Sequence, residues 1–511
     1  GWEAGPTSAP AEVDVAPCVP GKHGGGGNAP TTHPEIEVVH VINSCHLDIG
    51  FADSSQGIIN RYFDHHFPLA AQEGKAFRSG TLSGPHPKNL NFMFQSWVVN
   101  MYLDCPAGMG LHCPNATEIA TFEEAVRAGD ITWHAFPHNA QLEIMDPVLI
   151  KAGIQMTHDL DDRFGLPHKH TLSQRDVPGM TRSIIPILKS MDIDAITVGA
   201  NDGSTPPNVP DVKGGRDWTA PMPFVWSDAA SGEDILAMWN WPGYGSYPHN
   251  PPVLVPGLSH ALVYNFAGDN GGPQSLAAYG NLWSALQKEF PKAEIVASTF
   301  DNYTDVLQTK RDSLPKLAKE IGDTWVYGVP SDPQKQARVR VINRAFSAAI
   351  TKLGGVKNLH TDKALQNATR FALKLGEHTD GRDVKSNLVD NYSWKRADFE
   401  RAKTPGSKNY SQYAILEESW WEQRQWGVTL AIDTLANANH PLAQTLKKEV
   451  ASLQPLVPSL AGYKPAKAED VFQCGGTAIS FDQTGAIDQL SYGGVKVSLP
   501  PSLPPSLSLS L

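Results

Sequence analysis

The sequence predicts an α/β protein: a parallel sheet or barrel, then a helical bundle, then the start of a truncated β-domain. Three observations carry this. From residue 36 to about 320, apolar runs rich in β-branched residues alternate with stretches of helical spacing, the pattern of βαβ units. From about 331 to 460 the spacing is helical throughout. After about 468, short strand-like segments with Gly turns take over.

In chain order, residues 1–33 are Gly-, Pro- and Ala-rich and read as a flexible leader. The α/β segment spans 34–328. Its expected strands are 36–44, 90–97, 131–136, 194–200, 235–240, 260–267 and 294–300, and its expected helices lie near 56–73, 115–128, 148–164, 179–190, 273–289 and 303–320. The helical bundle spans 329–462. Asp332-Pro333 opens its first helix, with a capping carboxylate and Pro at the first helical position. Val339, Ile342, Phe346, Ile350 and Leu353 recur at helical spacing, and Gly354 can end the run. Further helices are expected near 362–376, 415–438 and 441–453, with Trp420, Trp421 and Trp426 in the core. Residues 463–497 read as the start of a β-sandwich domain, and 498–511 as a low-complexity tail.

With 511 residues the chain is expected to hold two or three domains. A hydrophobic content of 41% excludes a disordered chain. The formal net charge of −11 argues against nucleic acid as a partner. No run of about 18 apolar residues occurs, so no membrane span is expected. Five Asn-x-Ser/Thr sequons, at Asn115, Asn302, Asn367, Asn391 and Asn409, lean toward the secretory pathway or an extracellular site. Cys105 and Cys113 flank a short Pro/Gly-rich loop and could form a disulfide.

The first strand ends in His46-Leu47-Asp48. If the strand persists, residues two apart share a face. An imidazole and a carboxylate would then project together from its carboxyl end, where α/β proteins bind ligands. Such a pair makes two ligands of a zinc-type site. An ordinary strand end with two solvated polar residues is the alternative.

Three further stretches bear on that choice: Trp133-His134-Ala135-Phe136-Pro137-His138-Asn139, Leu172-Ser173-Gln174-Arg175-Asp176-Val177-Pro178-Gly179, and Asn265-Phe266-Ala267-Gly268-Asp269-Asn270-Gly271-Gly272-Pro273. Their order and spacing resemble the catalytic domain of the family 38 glycoside hydrolases, the α-mannosidases, over roughly 36–325. The resemblance implies a seven-stranded β/α barrel with one zinc ion. It matches His46 and Asp48 to zinc ligands. It matches Asp176 to the residue that is both a third ligand and the nucleophile. His378, in Glu377-His378-Thr379-Asp380, is the counterpart of a ligand that the family carries in a His-His-Asp context. The chain departs from the family at Val177-Pro178-Gly179, where a Phe-Gly step follows the Asp.

Retaining glycoside hydrolysis needs a second carboxyl group as acid/base. Asp269, in a Gly-rich turn after a strand, is the candidate, and a turn Asp that satisfies backbone amides is the alternative. Trp133, Trp239, Trp241 and Tyr244 are candidate sugar platforms or core residues. His134, His138 and Asn139 could bond hydroxyls. The loop Gly322–Gly328 could reach the same mouth. The leading function is a zinc-dependent retaining glycosidase on α-mannosides or related sugars. A metal-dependent carbohydrate deacetylase and an inactive carbohydrate-binding barrel are the alternatives.

Overall fold

The computed structural model describes residues 32–80, 82–201, 204, 223–240, 243–383, 395–454, 457–467 and 470–497. They fall in two compact units, divided after residue 453. In the first unit, two sheets carry the parallel strands. One runs Ile131–Trp133 (β3), Phe92–Phe94 (β2), Val38–His46 (β1), His260–Asp269 (β9) and Val253–Leu254 (β8), with Glu294–Ala297 (β10) also paired to β1. The other runs Lys316–Leu317 (β11), Phe224–Asp228 (β6), Glu233–Asn240 (β7), Ala195–Ala200 (β5) and Thr171–Asp176 (β4).

This α/β architecture with parallel sheets agrees with the sequence reading, but the seven-stranded ring does not close among the described residues. Backbone bonds tie the two sides together where Ala135 donates to the Thr171 carbonyl at 3.1 Å and where residues 245–247 pair with residues 264–266 of β9. Two features account for the open ring. β2 and β3 are three residues each, too short to sustain a ladder to β4. An antiparallel hairpin, β6 against β7, occupies the place of a further βα unit.

The central strand is β1. Val39, Val41 and Ile42 are fully buried, as expected of a strand covered on both faces. Four strands of this unit lie outside the expected ones: β4, whose Ser173-Gln174-Arg175-Asp176 looks polar, β6, and the two-residue strands β8 and β11. The helix expected over 303–320 is Phe300–Gln308. Pro315 bars the helix from running on to 320. It pushes the preceding residue out of the helical region, and Leu314 is extended.

The helices after residue 332, among them Pro333–Lys352, Lys363–Leu373, Tyr410–Arg424 and Leu430–Asn437, belong to the same compact unit. A single apolar cluster runs from β1 through Trp97 and Leu149 to Phe371, Trp426 and Leu435. The Trp97 indole donates to the Arg370 carbonyl at 2.8 Å. Trp426 is core, as expected. Trp420 is half-buried and Trp421 is 57% exposed, contrary to expectation, because the broad apolar face needed to bury all three is absent from this helix.

The second unit is an antiparallel sheet of Val471–Cys474 (β12), Thr477–Phe481 (β13), Ile487–Tyr492 (β14) and Val495–Val497 (β15), in sequential order. The expected leader and tail fall outside the described residues, apart from residues 32 and 33.

Candidate functional site

The site forms where β1, β4 and β9 end. β1 stops at His46, so strand alternation does not carry Asp48 to the same side as first expected. The turn after the strand does. Asp48 N–H donates to Asn270 Oδ1 at 3.1 Å, and Asn139 Nδ2 donates to the Leu47 carbonyl at 3.2 Å. Gly50 then adopts φ 140°, a conformation that favours glycine, and an added Cβ would meet Gln423 and Thr379 within 3 Å.

Asp176 ends β4 with φ 77°. Val177 N–H donates to the Arg175 carbonyl at 3.1 Å, closing a three-residue turn around Asp176. That is the strained form of the γ-turn, rare for a residue with a side chain. Gly179 follows. A Cβ there would lie 2.4 Å from the Ile321 and Gly322 carbonyls, so glycine admits the loop that brings in Trp325.

His378 arrives from the helical region. The pairing of Ala140 with Glu377, and the bond from His378 N–H to the Asn139 carbonyl at 3.2 Å, fix this segment beside residues 139–141.

His46, Asp48, Asp176 and His378 come together, with one ligand atom from each within 4.8 Å of the others. His46 Nε2 is 2.9 Å from Asp48 Oδ1. His378 Nε2 is 3.0 Å from the same oxygen and 3.2 Å from Asp176 Oδ2. The His378 nitrogen nonetheless makes no aligned hydrogen bond, although it is buried. Two imidazoles and two carboxylates, with a buried nitrogen aimed between oxygens, fit a divalent cation of the zinc type.

Burial alone would raise the Asp176 carboxyl. The close approach of His378 and the positive charge that His46 and His378 carry when protonated reverse this, and hold it well below the usual carboxylate range.

Tyr244 had been expected as a platform or core residue. Its hydroxyl reaches Asp176 Oδ1 at 2.6 Å and Asp269 Oδ1 at 2.9 Å, and its ring centroid is 4.6 Å from that of His46. Asn201 Nδ2 donates to the same Asp176 oxygen at 2.7 Å. Asp269 pairs in register with His46. Its side chain stands at the mouth, where partial burial pushes the carboxyl up and the His46 charge opposes that.

A cavity of about 840 Å³ opens over these groups, lined among others by Asp48, Asp176, Tyr244, Asp269, Trp325, His378 and Trp420. Other expected contacts do not line it. Trp133 is fully buried, with its indole on Asp161 Oδ1 at 2.9 Å. Trp239 is buried too, bonded to the Pro178 carbonyl. His134 bonds Gln95 Oε1 at 2.6 Å, and burial takes its imidazole down to about 3. His138 bonds the Leu373 carbonyl at 3.0 Å. Trp133, His134 and His138 are buried in the wall because the chain at and after β3 turns into the core, and Trp239 is buried on β7. Asn139 stands behind the ligands, with Nδ2 3.0 Å from His46 Nδ1. Trp241 lies outside the described residues.

Residues 329–504 match a family model described as a domain of unknown function (DUF5054), a segment that includes His378. No curated protein matches the chain. Among solved structures, an alpha-mannosidase from Enterococcus faecalis aligns at 12% identity and TM-score 0.49, over 81% of this chain and 43% of that one. An alpha-amylase from Thermotoga maritima aligns at 8% identity and TM-score 0.38, over 82% and 98%. A putative polysaccharide deacetylase from Mycobacterium smegmatis aligns at 12% identity and TM-score 0.32, over 57% and 97%. The chain thus spans less than half the length of the mannosidase.

Proposed function

We propose that this chain is a zinc-dependent retaining glycoside hydrolase acting on α-mannosides or related sugars. The Tyr244 bridge carries the reading. One hydroxyl lies 2.6 Å from Asp176 and 2.9 Å from Asp269, so their nearer oxygens are separated by no more than the sum of those distances. Retaining glycosidases hold their carboxyl groups about 5–5.5 Å apart, and inverting ones about 6.5–9.5 Å.

Asp176, its carboxyl held well below the usual range, attacks the anomeric carbon while Asp269, its carboxyl shifted up toward the acid form, gives its proton to the leaving oxygen. Asp269 then takes a proton from the water that hydrolyses the glycosyl ester on Asp176. Tyr244 has one proton to share. It donates to the Asp176 carboxylate and accepts from the Asp269 acid, which favours this division of roles. His46, Asp48, Asp176 and His378 would hold the zinc. When bound, the ion supplies a positive charge that anchors sugar hydroxyls. Trp325 and Trp420 offer apolar faces for sugar rings. The Cys105–Cys113 disulfide supports a secretory or extracellular location.

The test combines hydrolysis of an aryl α-mannoside with labelling by an activated fluorosugar. Turnover and a covalent adduct on Asp176 are expected. A zinc-loaded protein that hydrolyses none of a broad panel of aryl glycosides would sink the reading in favour of metal-dependent deacetylation or of an inactive carbohydrate-binding fold.

A further inference from the structure

His378 enters the site on a device that the ligand set does not include. The chain leaves the helix Lys363–Leu373 through a single turn, Lys374–Gly376, and becomes extended at Glu377. Lys374 and Glu377 are each only 3% exposed. Lys374 Nζ lies 2.8 Å from Glu377 Oε2 and donates to Gln423 Oε1 at 2.6 Å. Glu377 Oε1 accepts from the Thr379 hydroxyl at 2.6 Å and lies 3.1 Å from His378 Nδ1. Gln423 Nε2 in turn donates to the Ile49 carbonyl at 3.0 Å, one residue past Asp48.

The two partners of His378 Nδ1 decide its tautomer. One is the Glu377 carboxylate, and the other is the Asn139 carbonyl oxygen at 3.3 Å. Neither can donate, so Nδ1 carries the proton. A neutral imidazole then directs its Nε2 lone pair at Asp48 and Asp176, which is the form a metal requires.

We propose that Glu377, held by Lys374, is the positioning residue that fixes the tautomer and direction of His378 as a metal ligand. This rests on the metal reading above. Lys374 serves by fixing Glu377, and Gln423 ties the pair to the turn that carries Asp48. The helical region therefore supplies both a ligand and the support that makes it one.

The test uses the full chain and zinc alone. Glu377→Gln by itself leaves Lys374 buried without its charge partner, which would destabilise the fold. The decisive variant is Glu377→Gln with Lys374→Met, which removes both charges and keeps volume. Zinc affinity is read by competition with a chromophoric chelator, the ligand field by the visible spectrum of the cobalt form, and folding by the melting of the metal-free protein. The double variant is expected to melt near wild type, to bind zinc about 10–100-fold more weakly, and to give a shifted cobalt spectrum. Wild-type zinc affinity with an unchanged cobalt spectrum would overturn the proposal. If the double variant does not fold, Thr379→Val removes one hydrogen bond to Glu377 Oε1 without changing charge. A several-fold loss of affinity is then expected, and no loss overturns the proposal. A wild-type protein that binds no zinc overturns this proposal and the metal reading together, and needs no variant to be recognised.

Discussion

Asp176 carries three loads at once: a strained backbone, contact with the ligand cluster, and the nucleophile's place in the proposed reaction. Its substitutions should therefore separate. Asp176→Asn keeps an oxygen donor of similar volume but loses charge and nucleophilicity. It should retain some zinc and show no turnover and no fluorosugar adduct, read by metal analysis and intact mass. Asp176→Ala should lose zinc as well. Comparable turnover by the Ala variant would remove Asp176 from the chemistry. Asp269 sets a different observable. Partial burial raises its carboxyl above the ordinary aspartate value, so the acid form persists to higher pH than usual. Turnover should fall as pH rises through that raised value, because the general acid is then ionised. Asp269→Asn should lower turnover on a substrate with a poor leaving group by about 10²–10⁴-fold and abolish this alkaline limb. A pH–rate profile unchanged by the substitution would assign the limb to another group.

The elements around these residues are short and depend on each other. β4 ends in a turn that Gly179 allows to press on the loop after β11, and that loop carries Trp325 to the cavity. Met180 N–H donates to the Ile321 carbonyl at 2.9 Å, so the two segments are joined by backbone. In Gly179→Ala the new methyl would meet two carbonyl oxygens that cannot swing aside as a side chain could. The expected result is destabilisation of about 1–3 kcal/mol, seen in thermal or denaturant melts. A raised KM should accompany it as Trp325 shifts. A variant that melts and binds like wild type would mean the loop yields at little cost. The same logic places His378, which reaches the site because residues 376–378 lie along residues 139–141.

At the scale of the molecule, one large apolar cluster joins strands of both sheets to helices on either side of residue 330, and all of them belong to one compact unit. The ligand set is split across it, with three residues from strand ends and one from the helical region. Metal should therefore report on the whole unit. A ligand that binds only the folded state adds about 4 kcal/mol at a thousand times its dissociation constant. Chelation should lower the melting midpoint by several degrees, and added zinc should restore it. Limited proteolysis should yield no stable, metal-loaded fragment ending near residue 330. Recovery of such a fragment would show that the strand ends hold the ion alone.

Much of this was legible in the residues. Alternation of β-branched runs with helical spacing gave the α/β class, because burial on both faces demands continuous apolar strands. His46, Asp48, Asp176 and His378 could be named from motif order, and Asp269 from a Gly-rich turn at a strand end. Tertiary structure decided the rest. Whether the strands close into a ring depends on strand lengths and an inserted hairpin, which local pattern does not encode. β4 was hidden because its buried polar residues find partners from distant segments: Gln174 Oε1 accepts from Ala140 N–H, and Arg175 donates to Thr197. The wall residues Trp133, His134 and His138 have the composition of a sugar site, and only the direction of the chain after β3 sends them inward. Tyr244 carried no signal beyond being an aromatic near a strand end. Its place between two carboxyl groups follows from the meeting of β4, β9 and the segment after β7, contacts between residues far apart in the chain.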